Sequence, residues 1–183
     1  MSLPNFISLG RLLAVPLAVW LILSGKFGVA FWVFVVAGVS DAVDGFLAKR
    51  LNAQTELGKV LDPLADKALL VGVYITLGQA EHLPAWLVIL VVFRDLLIVG
   101  GIIVAHTLSR PVRMRPLVIS KVNTAAQILL AAGILGGLGL GLPIDRLIAP
   151  MVYLVAATTA VSGGAYLVSW GRFVTQPGDD GDA

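Results

Sequence analysis

Four aspartates, Asp41, Asp44, Asp62 and Asp66, stand in one short stretch, DAVDGFLAKRLNAQTELGKVLDPLAD, of an otherwise apolar chain. The first two are three positions apart and the second two four apart, so on helices each pair lies on one face with both carboxylates within reach of a shared ligand. Two such pairs make a pocket of four carboxylates. An ionised carboxylate near a bilayer centre costs about 2.5–3.5 kcal/mol on insertion scales, so four together require compensation. Divalent cations supply it. Hard oxygen donors with few competing nitrogens or sulfurs favour Mg²⁺ or Mn²⁺ over Zn²⁺, and four acids can hold two such ions. The bland alternative for Asp41 and Asp44 is a cap or loop position just past a helix end. Gly45 and Ala48, which continue the helical pattern on one face, argue against it.

The elements that must position these acids are membrane helices. The 183 residues are 58% hydrophobic and 13% charged, with mean hydropathy +0.94, a balance that excludes an ordinary soluble domain. There is no cysteine, which excludes disulfides and thiolate metal sites. The pattern predicts an all-α integral membrane protein with six transmembrane helices and a short N-terminal interfacial segment opened by Pro4 and Asn5. The first span runs over 12–23, closed by Ser24-Gly25-Lys26, and the second from Phe27 into Asp41. Lys49 to Leu57 forms a polar connection short enough to make the flanking helices antiparallel neighbours, which sets both acid pairs on one membrane side. Gly58 starts the third span, with Pro63 in its first turns; the fourth, fifth and sixth cover 85–104, 119–140 and 147–168. Residues 1–173 are expected to form one domain and the acidic tail 174–183 to be disordered. The N-terminus has neither a basic n-region nor an Arg-rich transit pattern, so the mature protein is expected to begin there.

Outside the acidic stretch, Arg94-Asp95 lies deep in the fourth span and has two readings, a buried ion pair that holds helices in register or an arginine on a substrate phosphate. Arg110, Arg113 and Arg115 form a basic loop. The glycines of GILGGLGLGLP suit close helix packing or a turn better than phosphate binding, since no polar partner accompanies them. His82 and His106 have no second histidine at ligand spacing. Arg11, Lys49, Arg50, the three loop arginines, Lys121 and Arg172 fall on the side of the termini, against Lys26 and Arg146 opposite. The positive-inside rule then makes the termini and the aspartates cytoplasmic.

The spacing Asp41-x2-Asp44-Gly45-x2-Ala48, then Gly58-x3-Asp62-x3-Asp66, resembles the signature of the CDP-alcohol phosphotransferases, integral membrane enzymes with six transmembrane helices. It fixes four acids, two glycines and an alanine, which hydropathy alone does not supply. The family usually has arginine after the alanine; here Lys49 stands there with Arg50 next, so either can meet the phosphate, and lysine offers a point charge without a bidentate fork. PNFISLGR, DPLADKALL, FRDLLIV and ISKVNTAAQ look like the CMP-forming cardiolipin synthases of mitochondria and some bacteria, over most of the chain to about Gln127. Phosphatidylglycerophosphate synthases are similar but commonly carry a second lysine where this chain has Asn123.

The resemblance implies attack by an alcohol hydroxyl on the β-phosphorus of CDP-diacylglycerol with release of CMP. Asp41, Asp44, Asp62 and Asp66 are then the ligands of two divalent cations, Mg²⁺ or Mn²⁺, and Asp66 is also the general base. Asp41, Gly45, Ala48, Lys49 and Gly58 are expected to bind the CDP-lipid, Gly45 and Ala48 because they let a nucleotide approach the helix backbone. Arg94, Arg115 and Lys121 are candidates for the acceptor's phosphate. The expected acceptor is phosphatidylglycerol, giving cardiolipin, with glycerol 3-phosphate as the alternative; a cation-coupled transporter is the alternative from another class. The implied partners are the bilayer and a second copy of the chain in a homodimer, not a nucleic acid. The implied setting is a bacterial inner membrane.

Overall fold

The computed structural model describes the backbone of residues 3–51, 56–107 and 118–175, and side-chain surroundings for 10–40, 67–101, 118–144 and 146–168. Six helices account for it, α1 Leu3–Leu23, α2 Phe27–Leu51, α3 Glu56–Gln79, α4 Ala85–Thr107, α5 Val118–Leu140 and α6 Asp145–Thr175, with no strand among the described residues. The separate interfacial segment expected at the N-terminus is instead the opening of α1, which runs unbroken from Leu3 and carries Pro16 in its body. A proline there gives up one backbone bond without ending the helix, as apolar surroundings permit.

Three tight turns reverse the chain at the end away from the aspartates. After α1, Gly25 adopts φ 70°, its N–H donates to the Ile22 carbonyl and the Lys26 N–H to the Leu21 carbonyl, so the last carbonyls are satisfied by a left-handed glycine cap. The α3–α4 turn repeats this bonding, His82 N–H to Leu77 and Glu81 N–H to Gly78, but with Glu81 in the left-handed region at φ 59°. Phe27 and His82 meet edge to face with centroids 5.2 Å apart, tying these two turns together. At the third turn the Gly141 N–H donates to the Gly137 carbonyl with Gly141 at φ 68°.

The core lies where α3 packs between α1, α4 and α5 and where α5 packs against α2 and α6. Ala18, Ile22, Val73, Tyr74 and Leu77 interlock α1 with α3, and the Tyr74 hydroxyl donates to the Gln127 carbonyl of α5 at 3.0 Å. The glycines of α5 do serve close packing. A Cβ on Gly139 would stand 2.2 Å from the Gly28 backbone nitrogen, so α2 and α5 touch backbone to backbone at their outer ends. The expected pairing of α2 with α3 next to their short connection falls on residues 41–66, whose side chains lie outside the described residues. Among the described residues α3 packs chiefly on α1, α4 and α5, and the space between α2 and α3 is left as a cavity.

Large apolar side chains cover the outside, among them Trp20, Trp32, Ile89 and Tyr153. A surface of this kind belongs against lipid or a partner. Two segments among the described residues, Val118–Leu140 and Arg146–Val168, are long and apolar enough to cross a membrane.

Candidate active site

Helix α2 continues past Asp41 and Asp44 to Leu51, so these residues stand on helix and not in a loop. Asp62 and Asp66 stand on α3, which begins at Glu56; Pro63 therefore lies in the body of the helix and not in its first turns. Both pairs keep the helical spacing that sets their carboxylates on one face. Gly45, Ala48, Lys49 and Arg50 follow on α2, and Gly58 on α3. The side chains of all these residues, and the whole of Arg115, lie outside the described residues.

What is described begins one turn further in. Between α1, α2, α3 and α5 lies a cavity of about 440 Å³. Gly38 of α2, one turn before Asp41, and Lys67 of α3, immediately after Asp66, are on its wall, so its described lining reaches to within a turn of both aspartate pairs in sequence. Phe34, Leu70 and Ile128 make most of the remaining wall apolar. Among the described residues, the cationic side chains that border it are Arg11 and Lys67. Arg11 also borders a second, more open groove of about 420 Å³ between α1 and α2, which Trp32 and Val36 line.

Behind Lys67 stands a polar cluster sealed from solvent. The Lys67 ammonium donates to both Asp95 carboxylate oxygens, at 3.1 and 3.2 Å. Asp95 also accepts from Arg94 Nη1 at 2.6 Å, and Arg94 and Asp95 are each 2% exposed. Nε and Nη2 of the guanidinium donate to Ser162 of α6, at 3.2 Å and 2.7 Å, and Nη2 also donates to Ser120 of α5. Of the two readings of Arg94, the geometry supports the structural one: the guanidinium joins α4 to α5 and α6 through four hydrogen bonds to protein partners and is not among the residues that line the cavity. Lys121 is exposed on α5 and does not border the cavity either.

Asn123 is fully buried between α5 and α6, its Oδ1 accepting from Thr158 and Thr159 at 2.8 Å each. It faces away from the cavity wall that its neighbour Thr124 helps to form. Its lack of charge therefore reports on the α5–α6 contact and gives no guide to the acceptor. The residues that the sequence left without a chemical role are Lys67 and Arg11. The available signal was a lone cation within an apolar span, which by default marks a functional position.

The donor set fits hard divalent ions, since four carboxylates at helical spacing stand on two helices that border one cavity. A cardiolipin synthase (CMP-forming) from Rattus norvegicus is 34% identical over 197 residues, covering 96% of this chain and 63% of the relative. A chloroplastic CDP-diacylglycerol–glycerol-3-phosphate 3-phosphatidyltransferase from Oryza sativa subsp. japonica is 35% identical over 188 residues, covering 93% and 57%. A Bacillus subtilis CDP-diacylglycerol–glycerol-3-phosphate 3-phosphatidyltransferase is 33% identical over 149 residues, covering 73% and 76%. The chain thus spans about six-tenths of the rat and rice relatives (63% and 57%). With two aspartate pairs on α2 and α3 and a match to the family's sequence pattern over residues 1–167, the chain belongs to the CDP-alcohol phosphatidyltransferase family.

Proposed function

We propose that the chain transfers a phosphatidyl group from CDP-diacylglycerol to a hydroxyl of phosphatidylglycerol, forming cardiolipin and releasing CMP. The observation that carries this reading is the cavity between α1, α2, α3 and α5, whose described wall is mostly apolar and carries two cations, Arg11 and Lys67. A soluble phosphomonoester such as glycerol 3-phosphate is dianionic and calls for several converging cations. A lipid phosphodiester is monoanionic and needs apolar room for its chains. Similarity to both kinds of relative keeps glycerol 3-phosphate as the second reading.

In the reaction, the acceptor oxygen forms a bond to the β-phosphorus while the bond from that phosphorus to CMP breaks. Asp66 takes the hydroxyl proton, and Asp41, Asp44 and Asp62, with Asp66, hold two divalent ions, Mg²⁺ or Mn²⁺. Ions held by these carboxylates would supply positive charge to offset that of the pyrophosphate and of the leaving CMP. Gly45, Ala48, Gly58 and Lys49 receive the cytidine and its phosphates. The six helices all cross the bilayer, with the aspartates on the cytoplasmic side of a bacterial inner membrane, and the protein works as a homodimer.

The test is purified protein in liposomes with CDP-diacylglycerol and Mg²⁺ or Mn²⁺, offered each acceptor separately while product lipids are identified. Cardiolipin from phosphatidylglycerol is the expected product. Phosphatidylglycerophosphate from glycerol 3-phosphate, with no cardiolipin, overturns the choice of acceptor and leaves the transferase reading standing.

A further inference from the structure

Lys67 has a partner but is not needed to balance it. Arg94 already pairs with Asp95 at 2.6 Å inside the bundle, so that couple is neutral without a third group. Adding Lys67 gives the cluster two positive charges against one negative, and the surplus has one outlet. Arg94 and Asp95 are 2% exposed, whereas Lys67 is 21% exposed and borders the cavity. An ammonium has three donors, and the two Asp95 oxygens account for two. The anchor is stiff as well as charged, because Arg94 is bonded to serines on two further helices and fixes the carboxylate that fixes the lysine. A long flexible side chain held this way has lost its rotamer freedom before any ligand arrives, which favours binding.

We propose that Lys67, the residue that follows Asp66 in the chain, binds the phosphate of the acceptor, and that Asp95 is the positioning residue that holds the ammonium for it. The ligand chemistry is a phosphate ester anion, and the apolar wall around Lys67 favours the lipid diester over the soluble monoester. The inference rests on the transferase reading above, and on the choice of phosphatidylglycerol only for the identity of the phosphate bearer.

The experiment is steady-state kinetics on the full chain in mixed micelles, with acceptor and CDP-diacylglycerol varied separately for wild type, Lys67→Ala, Lys67→Arg and Asp95→Asn. Loss of one charge-assisted bond to a phosphate raises the acceptor KM of Lys67→Ala roughly tenfold or more. The KM for CDP-diacylglycerol stays within about twofold, and Lys67→Arg, which keeps the charge, recovers most of the loss. Asp95→Asn raises the same KM by a smaller factor. A merely structural Asp95 would reduce the amount of folded enzyme and leave the KM of the remainder unchanged, so misfolding does not imitate this result. An unchanged acceptor KM in Lys67→Ala, or a rise shared equally by both substrates or confined to CDP-diacylglycerol, overturns the proposal. Calorimetric titration with short-chain phosphatidylglycerol gives a readout without turnover, in which Lys67→Ala must bind more weakly than wild type. If wild type makes phosphatidylglycerophosphate instead, the choice of lipid acceptor has failed. The same comparison with glycerol 3-phosphate then decides Lys67 by the same criterion.

Discussion

Lys49 and Arg50 stand side by side near the end of α2, after the aspartate pair and Ala48. If Lys49 takes the phosphate of the CDP-lipid, Lys49→Arg is tolerated and Lys49→Ala raises the KM for CDP-diacylglycerol about tenfold, the effect of one charge-assisted contact. The same rise in Arg50→Ala alone would move the phosphate contact by one residue. The acid pairs and their neighbours were legible because helical spacing is written locally in the chain. The surroundings of Arg94 were not. Its partners Ser120 and Ser162 lie 26 and 68 positions away, and only the packing of α4 against α6 and of α5 against α6 brings them together. Asn123 misled for the same reason, since its two threonine donors come from α6.

Helix ends were the most legible elements. Ser24-Gly25-Lys26 reads as a stop, and the chain does cap there with Gly25 at φ 70°. The α3–α4 turn uses Glu81 in the same role at φ 59°, where a side chain is unfavourable by about 1–2 kcal/mol relative to glycine. Glu81→Gly is therefore expected to raise the melting temperature in detergent, an outcome thermal unfolding checks directly. At the α2–α5 contact the sign reverses. Gly139→Ala places a methyl carbon against the Gly28 backbone, which cannot yield as a side chain would, and is expected to destabilise by about 1–3 kcal/mol. A melting temperature equal to wild type would mean that the two helices do not touch there. Which helices are neighbours was less legible than where they end. Among the described residues α1 and α5 pack on both α2 and α3, with the cavity between them, contacts that no local pattern in the chain announces.

At the scale of the whole molecule, the helices reverse at three turns at one end, and the aspartate-bearing parts of α2 and α3 lie toward the other, where α1 begins and α6 ends. The chain has no cysteine, so single cysteines report topology without background. In a bacterial inner membrane, Ser24→Cys and Ala80→Cys are expected to react with an impermeant maleimide from outside, and Thr55→Cys only after the membrane is opened; any other pattern contradicts six spans. The central claim is that the two aspartate pairs form one metal-dependent centre for phosphatidyl transfer. Its most direct measurement is CMP release from CDP-diacylglycerol as Mg²⁺ or Mn²⁺ is titrated into wild type and into Asp41→Asn, Asp44→Asn, Asp62→Asn and Asp66→Asn. The account predicts no release without a divalent ion and loss of most activity in all four variants. It further predicts weakened ion binding in the first three, and largely intact CDP-lipid binding in Asp66→Asn, whose missing base acts on the acceptor. Turnover at the wild-type rate with the same ion requirement in any of them would contradict it.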